Sequence, residues 1–128
     1  MGGPCWMIDQ DGRTLAPDCT DNFQIASFSY DGTEWQSVEQ CYQAQKFLSA
    51  TQRHTIQSAV PKRRHGKYDK LETAHQYGMR VWDLGQRRAA IRPDWDQVKM
   101  RIMYEICWAK YQSNPDLQQD ILAMLEAP

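Results

Sequence analysis

Three residues in one short segment carry the clearest chemistry in the chain: Glu39, Gln43 and Lys46, spaced i, i+4 and i+7. On a helix, at about 100° per residue, they project in one direction. The other positions there, Val38, Cys41, Tyr42, Ala44, Phe47 and Leu48, spread an apolar arc over more than half the circumference. A carboxylate in the first turn sits among unpaired backbone N–H groups at the positive end of the helix dipole. Those surroundings favour its ionised form, ready as a base, a nucleophile or the stabiliser of a cation. A lysine two turns further in, beside Phe47, loses water and with it some of its basicity, which is how an amine becomes a nucleophile. On pattern alone such a stripe is also an ordinary solvated helix face, and both readings stand at this point. Gln45 lies inside the apolar arc, so its amide needs partners on the preceding hairpin's backbone or on another helix.

The elements around this segment follow from local signals. Ser37 with Gln40 three residues on forms a capping box, which starts the first helix and carries it to about Ser49. Before it, residues 27–30 alternate small polar with aromatic, Asp31-Gly32 supplies a tight turn, and Thr33-Glu34-Trp35 returns, which predicts a hairpin. Cys5 to Asp9 followed by Asp11-Gly12 is a weaker hairpin signal. A second helix is expected over Thr51 to Ala59, stopped by Pro61. Asp69 with Glu72 is expected to start a third, with Leu71, Ala74, Gly78, Val81 and Trp82 at helical spacing until Gly85. Pro93 is expected to open a fourth that is apolar nearly all round, and therefore the central core helix. Asn114-Pro115 starts a fifth with Leu117, Ile121, Leu122 and Leu125. The architecture predicted is one α+β domain over residues 1–128, predominantly helical, with a small N-terminal β-hairpin region.

Composition narrows the function classes. With 15 Lys+Arg against 16 Asp+Glu, the net charge of -1 lacks the broad positive footprint of a non-specific nucleic-acid binder. The one strong local bias is the basic run from Lys62 to Lys67, read as a solvated loop ahead of a phosphate-contacting one. Cys5, Cys19, Cys41 and Cys107 form no C-x-x-C pair and have no histidine couple at zinc-ligand spacing, so neither a metal nor another cofactor is expected. Cys41 and Cys107 fall in apolar helical patterns, as buried reduced thiols do. With no apolar run of membrane-spanning length and no leader pattern at the start, the expectation is a soluble protein of a reducing intracellular compartment.

The stretch from Asp31 through Phe47 contains Trp35 and then Ser37-x-Glu39-x-x-x-Gln43-Ala44-x-Lys46-Phe47. It resembles the signature of the NADAR family of YbiA-like N-glycosidases. Gly85 to Trp95, with Arg87, Arg88 and Arg92, resembles the arginine-bearing stretch before the family's core helix. The resemblance runs from about Phe23 to Leu125 and is weakest between Ser58 and Met79, where this chain has extra length. It implies a mixed α+β fold and hydrolysis of a ribosyl C–N bond, on ribosylamino-pyrimidine phosphates of riboflavin synthesis or on ADP-ribosyl-guanine in nucleic acid. It places Glu39 as the catalytic carboxylate and Lys46 as the motif lysine, with Trp35 and Tyr42 near the pocket and Gln43 beside them. Arg87, Arg88 and Arg92 are then candidates for the substrate phosphate, since guanidinium forks bind phosphate oxygens bidentately. His75 in the third helix is a weaker site candidate, more often a half-buried histidine.

The family pattern continues into a glycine-rich segment with a Trp-Gly-Asp-like motif that has no counterpart before Pro128. The alternatives expected on that ground are a fragment, a short homologue whose site is completed by a partner or a second copy, and a non-catalytic scaffold or nucleotide-binding subunit.

Overall fold

A computed structural model describes residues 7–8, 11–12, 14–15, 18–64, 70–86 and 90–126. Five helices and three two-stranded antiparallel hairpins make up the described residues. The first hairpin pairs β1 (Met7–Ile8) with β2 (Thr14–Leu15), with Gly12 at φ 79° in the connection. A 3-10 turn over Asp18–Thr20 follows. The second hairpin pairs β3 (Phe28–Tyr30) with β4 (Thr33–Trp35), Phe28 opposite Trp35. Its two-residue connection is Asp31 at φ 53° and Gly32 at φ 77°, the left-handed pair that matches strand twist.

Helix α1 (Val38–Gln45) starts at Ser37, whose hydroxyl accepts the Gln40 N–H at 3.1 Å. Only half of the expected capping box forms. The Gln40 side-chain carbonyl accepts from the Gln36 N–H at 2.7 Å, one residue further back. Its NH2 group donates to the carbonyls of Ile56, Gln57 and Ala59 at 3.0, 3.1 and 2.8 Å. This one amide ties α1 to the end of α2 (Ala50–Gln57), which is capped by Ser49 and stops short of the expected Ala59. α1 ends at Lys46 rather than Ser49, because the chain then straightens into a bridge between Phe47 and Ile91.

The third hairpin, β5 (Arg63–Arg64) with β6 (Lys70–Leu71), replaces the loop expected for the basic run, whose residues 65–67 lie outside the described ones. Leu71 is therefore a strand residue, and α3 (Ala74–Leu84) begins later than expected. Its start is set by Thr73 and Gln76, each side chain bonded to the other's backbone N–H in a full capping box, while Glu72 is occupied by Arg80. α4 (Trp95–Ser113) begins two residues after Pro93, with Asp94 at its N-cap position, where the carboxylate binds Arg92 and makes no capping hydrogen bond. α5 (Pro115–Glu126) starts where the sequence places it.

The central buried helix is α1, not α4. Every residue of α1 is buried, and α2, α3 and α4 all pack on it. α4 buries Trp95, Ile102, Ile106 and Lys110 but leaves Met100, Tyr104 and Trp108 on its solvent side. The core joins Phe28 and Trp35 of the second hairpin to Val38, Cys41, Ala44 and Phe47, then to Ile56 of α2 and Ile102 and Ile106 of α4. Among the described residues no helix is long and apolar enough to cross a membrane. Replacing Gln40 by Leu keeps the volume but strands the Gln57 carbonyl and the Gln36 N–H and takes one of two donors from the carbonyls of Ile56 and Ala59, which keep the Ala59 N–H and the Tyr77 hydroxyl. Urea unfolding of that variant is expected to show a loss of about 2–4 kcal/mol, without loss of the helical circular dichroism signal at zero denaturant.

Candidate active site

The stripe of Glu39, Gln43 and Lys46 is not a solvated face. Glu39 is 2% exposed and Gln43 3%, with Lys46 half-buried at the helix end. Gln43 Nε2 donates to Glu39 Oε1 at 2.7 Å, one turn apart on the same side of α1. Gln43 Oε1 is buried without a hydrogen-bond partner. The end of α3 closes over this amide at Gly85, where an added Cβ would collide with the Gln43 carboxamide. From the other side, the loop after the 3-10 turn contributes the Asn22 carbonyl, which accepts the Glu39 N–H at 3.0 Å.

Burial decides the electrostatics. It pushes the Glu39 carboxyl above its ordinary range, against the hydrogen bond from Gln43 and the charge of Lys46, which pull it down; Asp21 adds to the rise. The helix start is expected to favour the ionised form; burial acts the other way and is the largest influence on this carboxyl. Burial also lowers the Lys46 ammonium, opposed only by the charge of Glu39, as expected for a lysine two turns in. The backbone of Lys46 is fixed as well, its carbonyl accepting the Arg92 N–H at 2.7 Å.

The other candidates divide. Tyr42 packs on Trp95 with ring centroids 5.0 Å apart and lies close enough to Glu39 for that carboxylate to raise its phenol, second to burial. Trp35 is buried in the core and lines a cavity of about 480 Å³ with Thr33, Leu48, Arg53, His54 and Gln57. Glu39 lines neither this cavity nor a second of about 440 Å³ near β5 and β6. Arg92 sits beside Lys46 through the backbone, but its Nε and Nη2 are bonded to the Asp94 carboxylate at 2.6 and 2.9 Å, so a substrate phosphate competes with that pair. Arg87 and Arg88 lie outside the described residues. His75 is exposed and tilts against the Phe23 ring at 6.0 Å. Gln45 finds another helix, but its side chain: Arg53 donates to its Oε1 at 3.2 Å.

Two residues of the site's support carry no local sequence signal. Lys110, 2% exposed, donates from Nζ to the carbonyls of Cys19 and Asp21 at 3.1 Å each, and so anchors the loop that reaches Glu39. Gly85 reads as a helix stop, yet its missing side chain is what admits Gln43. Among the described residues no group of three His, Cys, Asp or Glu side chains is gathered to hold a metal.

A buried carboxylate with a raised pKa lowers stability once pH exceeds the unfolded-state value of about 4.3, and the penalty is complete above the folded-state value. Glu39→Gln removes that penalty and keeps an acceptor for Gln43. Its unfolding midpoint at pH 7 is expected above that of the parent, with the gap closing below about pH 4. Thermal melts across that range check it.

Residues 13–127 match the model of the NADAR domain. The fold is similar to the NMR structure of the E. coli protein YbiA, with a TM-score of 0.55 and 26% identity over 75% of this chain and 48% of that one. The chain thus spans about half the length of that relative, and no curated protein matches it. With most of its length matched and the Ser37-to-Phe47 signature forming the buried helix at its centre, the chain belongs to the NADAR family.

Proposed function

We propose that the chain hydrolyses an N-glycosidic bond, cleaving the C–N link between a ribosyl group and a base or amine, with Glu39 as the acting carboxylate. The observation that carries this reading is the enclosure of Glu39 in a buried helix, with the Gln43 amide donating to it and the Lys46 ammonium within electrostatic reach. As the C–N bond breaks, its electron pair leaves with the nitrogen and positive charge builds on the sugar carbon. A carboxylate held in a low-dielectric site stabilises that charge far better than one in water. Water then bonds to the carbon and passes its proton to Glu39, whose raised pKa makes it the stronger base, and the departing nitrogen takes up a proton. Gln43 fixes the carboxylate's orientation through the 2.7 Å bond.

Lys46 supports a covalent variant of the same reaction. With its pKa lowered by burial, more of the amine is neutral, and it can capture the aldehyde of the opened sugar as a Schiff base that water later releases. Substrate reaches the stripe beside Lys46, its half-buried member, with Arg92 adjacent for a phosphate. ADP-ribosyl-guanine in DNA and ribosylamino-pyrimidine phosphate, the two substrate types that the resemblance of the signature implies, are the ones to test.

Product release from each is expected for the parent chain and a loss of about 10²-fold or more for Glu39→Gln. The acid limb of the parent's rate profile should lie above the ordinary carboxylate range, because the base form of Glu39 is needed and burial raises its pKa. Borohydride trapping of a Lys46 adduct selects the covalent variant, and its absence selects direct attack by water. A folded chain without turnover on either substrate overturns the hydrolase reading in favour of a binding scaffold.

A further inference from the structure

Helix α4 carries a feature that neither the core nor the proposed reaction uses. Met100, Tyr104 and Trp108 stand four residues apart, so they form one row along the helix, and they are 79%, 70% and 57% exposed. Apolar residues scattered singly over a surface need no explanation, but three large ones in a continuous row mark a contact. Met, Tyr and Trp, with Arg, are the types enriched where one protein meets another. None of the three belongs to α1, so what covers them is independent of the proposed hydrolysis.

The charges beside the row say what kind of partner fits. At about 100° per residue, Trp108, Arg101 and Glu105 lie on the same side of Tyr104 around the helix, at about 40°, 60° and 100°. That edge therefore holds one cation and one anion a helical turn apart. Both are exposed, and the pair they make within the helix is long, 3.6 Å, so it holds neither firmly. Glu105 Oε2 accepts the Tyr30 hydroxyl at 2.9 Å, which fixes the carboxylate on its inner side. Nearer the helix start, Asp96 and Lys99 cancel each other at 3.2 Å. A lipid surface or a nucleic acid would call for a basic edge, and this one is balanced.

An edge that carries both signs is complementary to itself. We infer that this face is the contact surface of a homodimer, formed by two α4 helices packed antiparallel about a two-fold axis beside Tyr104. In such a pair each edge meets the same edge of the other copy. Tyr104 lies beside its own copy, and Arg101 of one copy meets Glu105 and the Trp108 ring of the other, an ion pair and a cation–π contact each made twice. The net charge of -1 leaves little repulsion between copies to oppose it.

Analytical ultracentrifugation of the full chain, from micromolar to millimolar concentration, tests the inference. The parent should pass from monomer to dimer within that range, and Tyr104→Lys, which puts two like charges at the axis, should associate roughly tenfold or more weakly. Arg101→Glu and Glu105→Arg, each at an exposed position, set like charges against each other across the interface and should each weaken self-association. Mixed in equal amounts, these two variants regain both ion pairs and should form a heterodimer tighter than either homodimer. A parent that stays monomeric up to about 1 mM, Tyr104→Lys that associates as the parent does, or a mixture no tighter than its components would each overturn the proposal.

Discussion

The rest of the structure answers to one constraint: α1 is enclosed on every side although half its residues are polar. Glu39, Gln40, Gln43 and Gln45 are all buried, and Ser37 at the cap is too. A buried polar group without a partner costs on the order of 1–3 kcal/mol, so the neighbours are dictated by what these side chains require. The end of α2 supplies three carbonyls to Gln40, and Arg53 of α2 supplies a donor to Gln45. The loop at Asn22 takes the Glu39 N–H, and Gly85 at the end of α3 leaves room for Gln43. The helix order around α1 is in large part the geometry of these contacts.

Within that enclosure the polar side chains fall into two kinds. Gln40 is fully provided for, donating and accepting at both ends of its amide, and its role is stability. Among the described residues Glu39 and Gln43 share one side-chain hydrogen bond, with Gln43 Oε1 left unpaired and burial working against the charged form of the Glu39 carboxyl. Cores remove such groups unless something else keeps them, and strained titratable groups concentrate where chemistry is done. Lys110 belongs to the same economy at a distance, a buried ammonium that anchors the loop closing over Glu39.

Much of this was legible in the residues, and the misses have physical causes. Asp31-Gly32 announces the hairpin because few other pairs take two left-handed conformations in succession. Ser37 marks the start of α1 for an equally local reason, its hydroxyl reaching a first-turn N–H. The burial of the Glu39 stripe was not legible, since the pattern of a helix says which side is polar, not what the distant Gly85 and Asn22 bring to it. Gln40 lies in the same apolar arc that marks Gln45 as buried, and that signal was hidden by its plausibility as a cap. α4 reads as central because its apolar residues encircle it, yet Met100, Tyr104 and Trp108 face solvent at 79%, 70% and 57% exposure. Periodicity cannot tell an apolar residue that is covered from one that is not.

The most direct test of the central claim, that a functional carboxylate is held inside α1 against its preference for water, is the titration of Glu39 itself. Carbon NMR of its side-chain carboxyl, assigned by comparison with Glu39→Gln, reads the protonation state through the pH range. A midpoint clearly above the ordinary glutamate value of about 4.3 is expected. A midpoint at or below that value would mean a solvated, freely ionised side chain and would contradict the buried site from which the proposed chemistry follows.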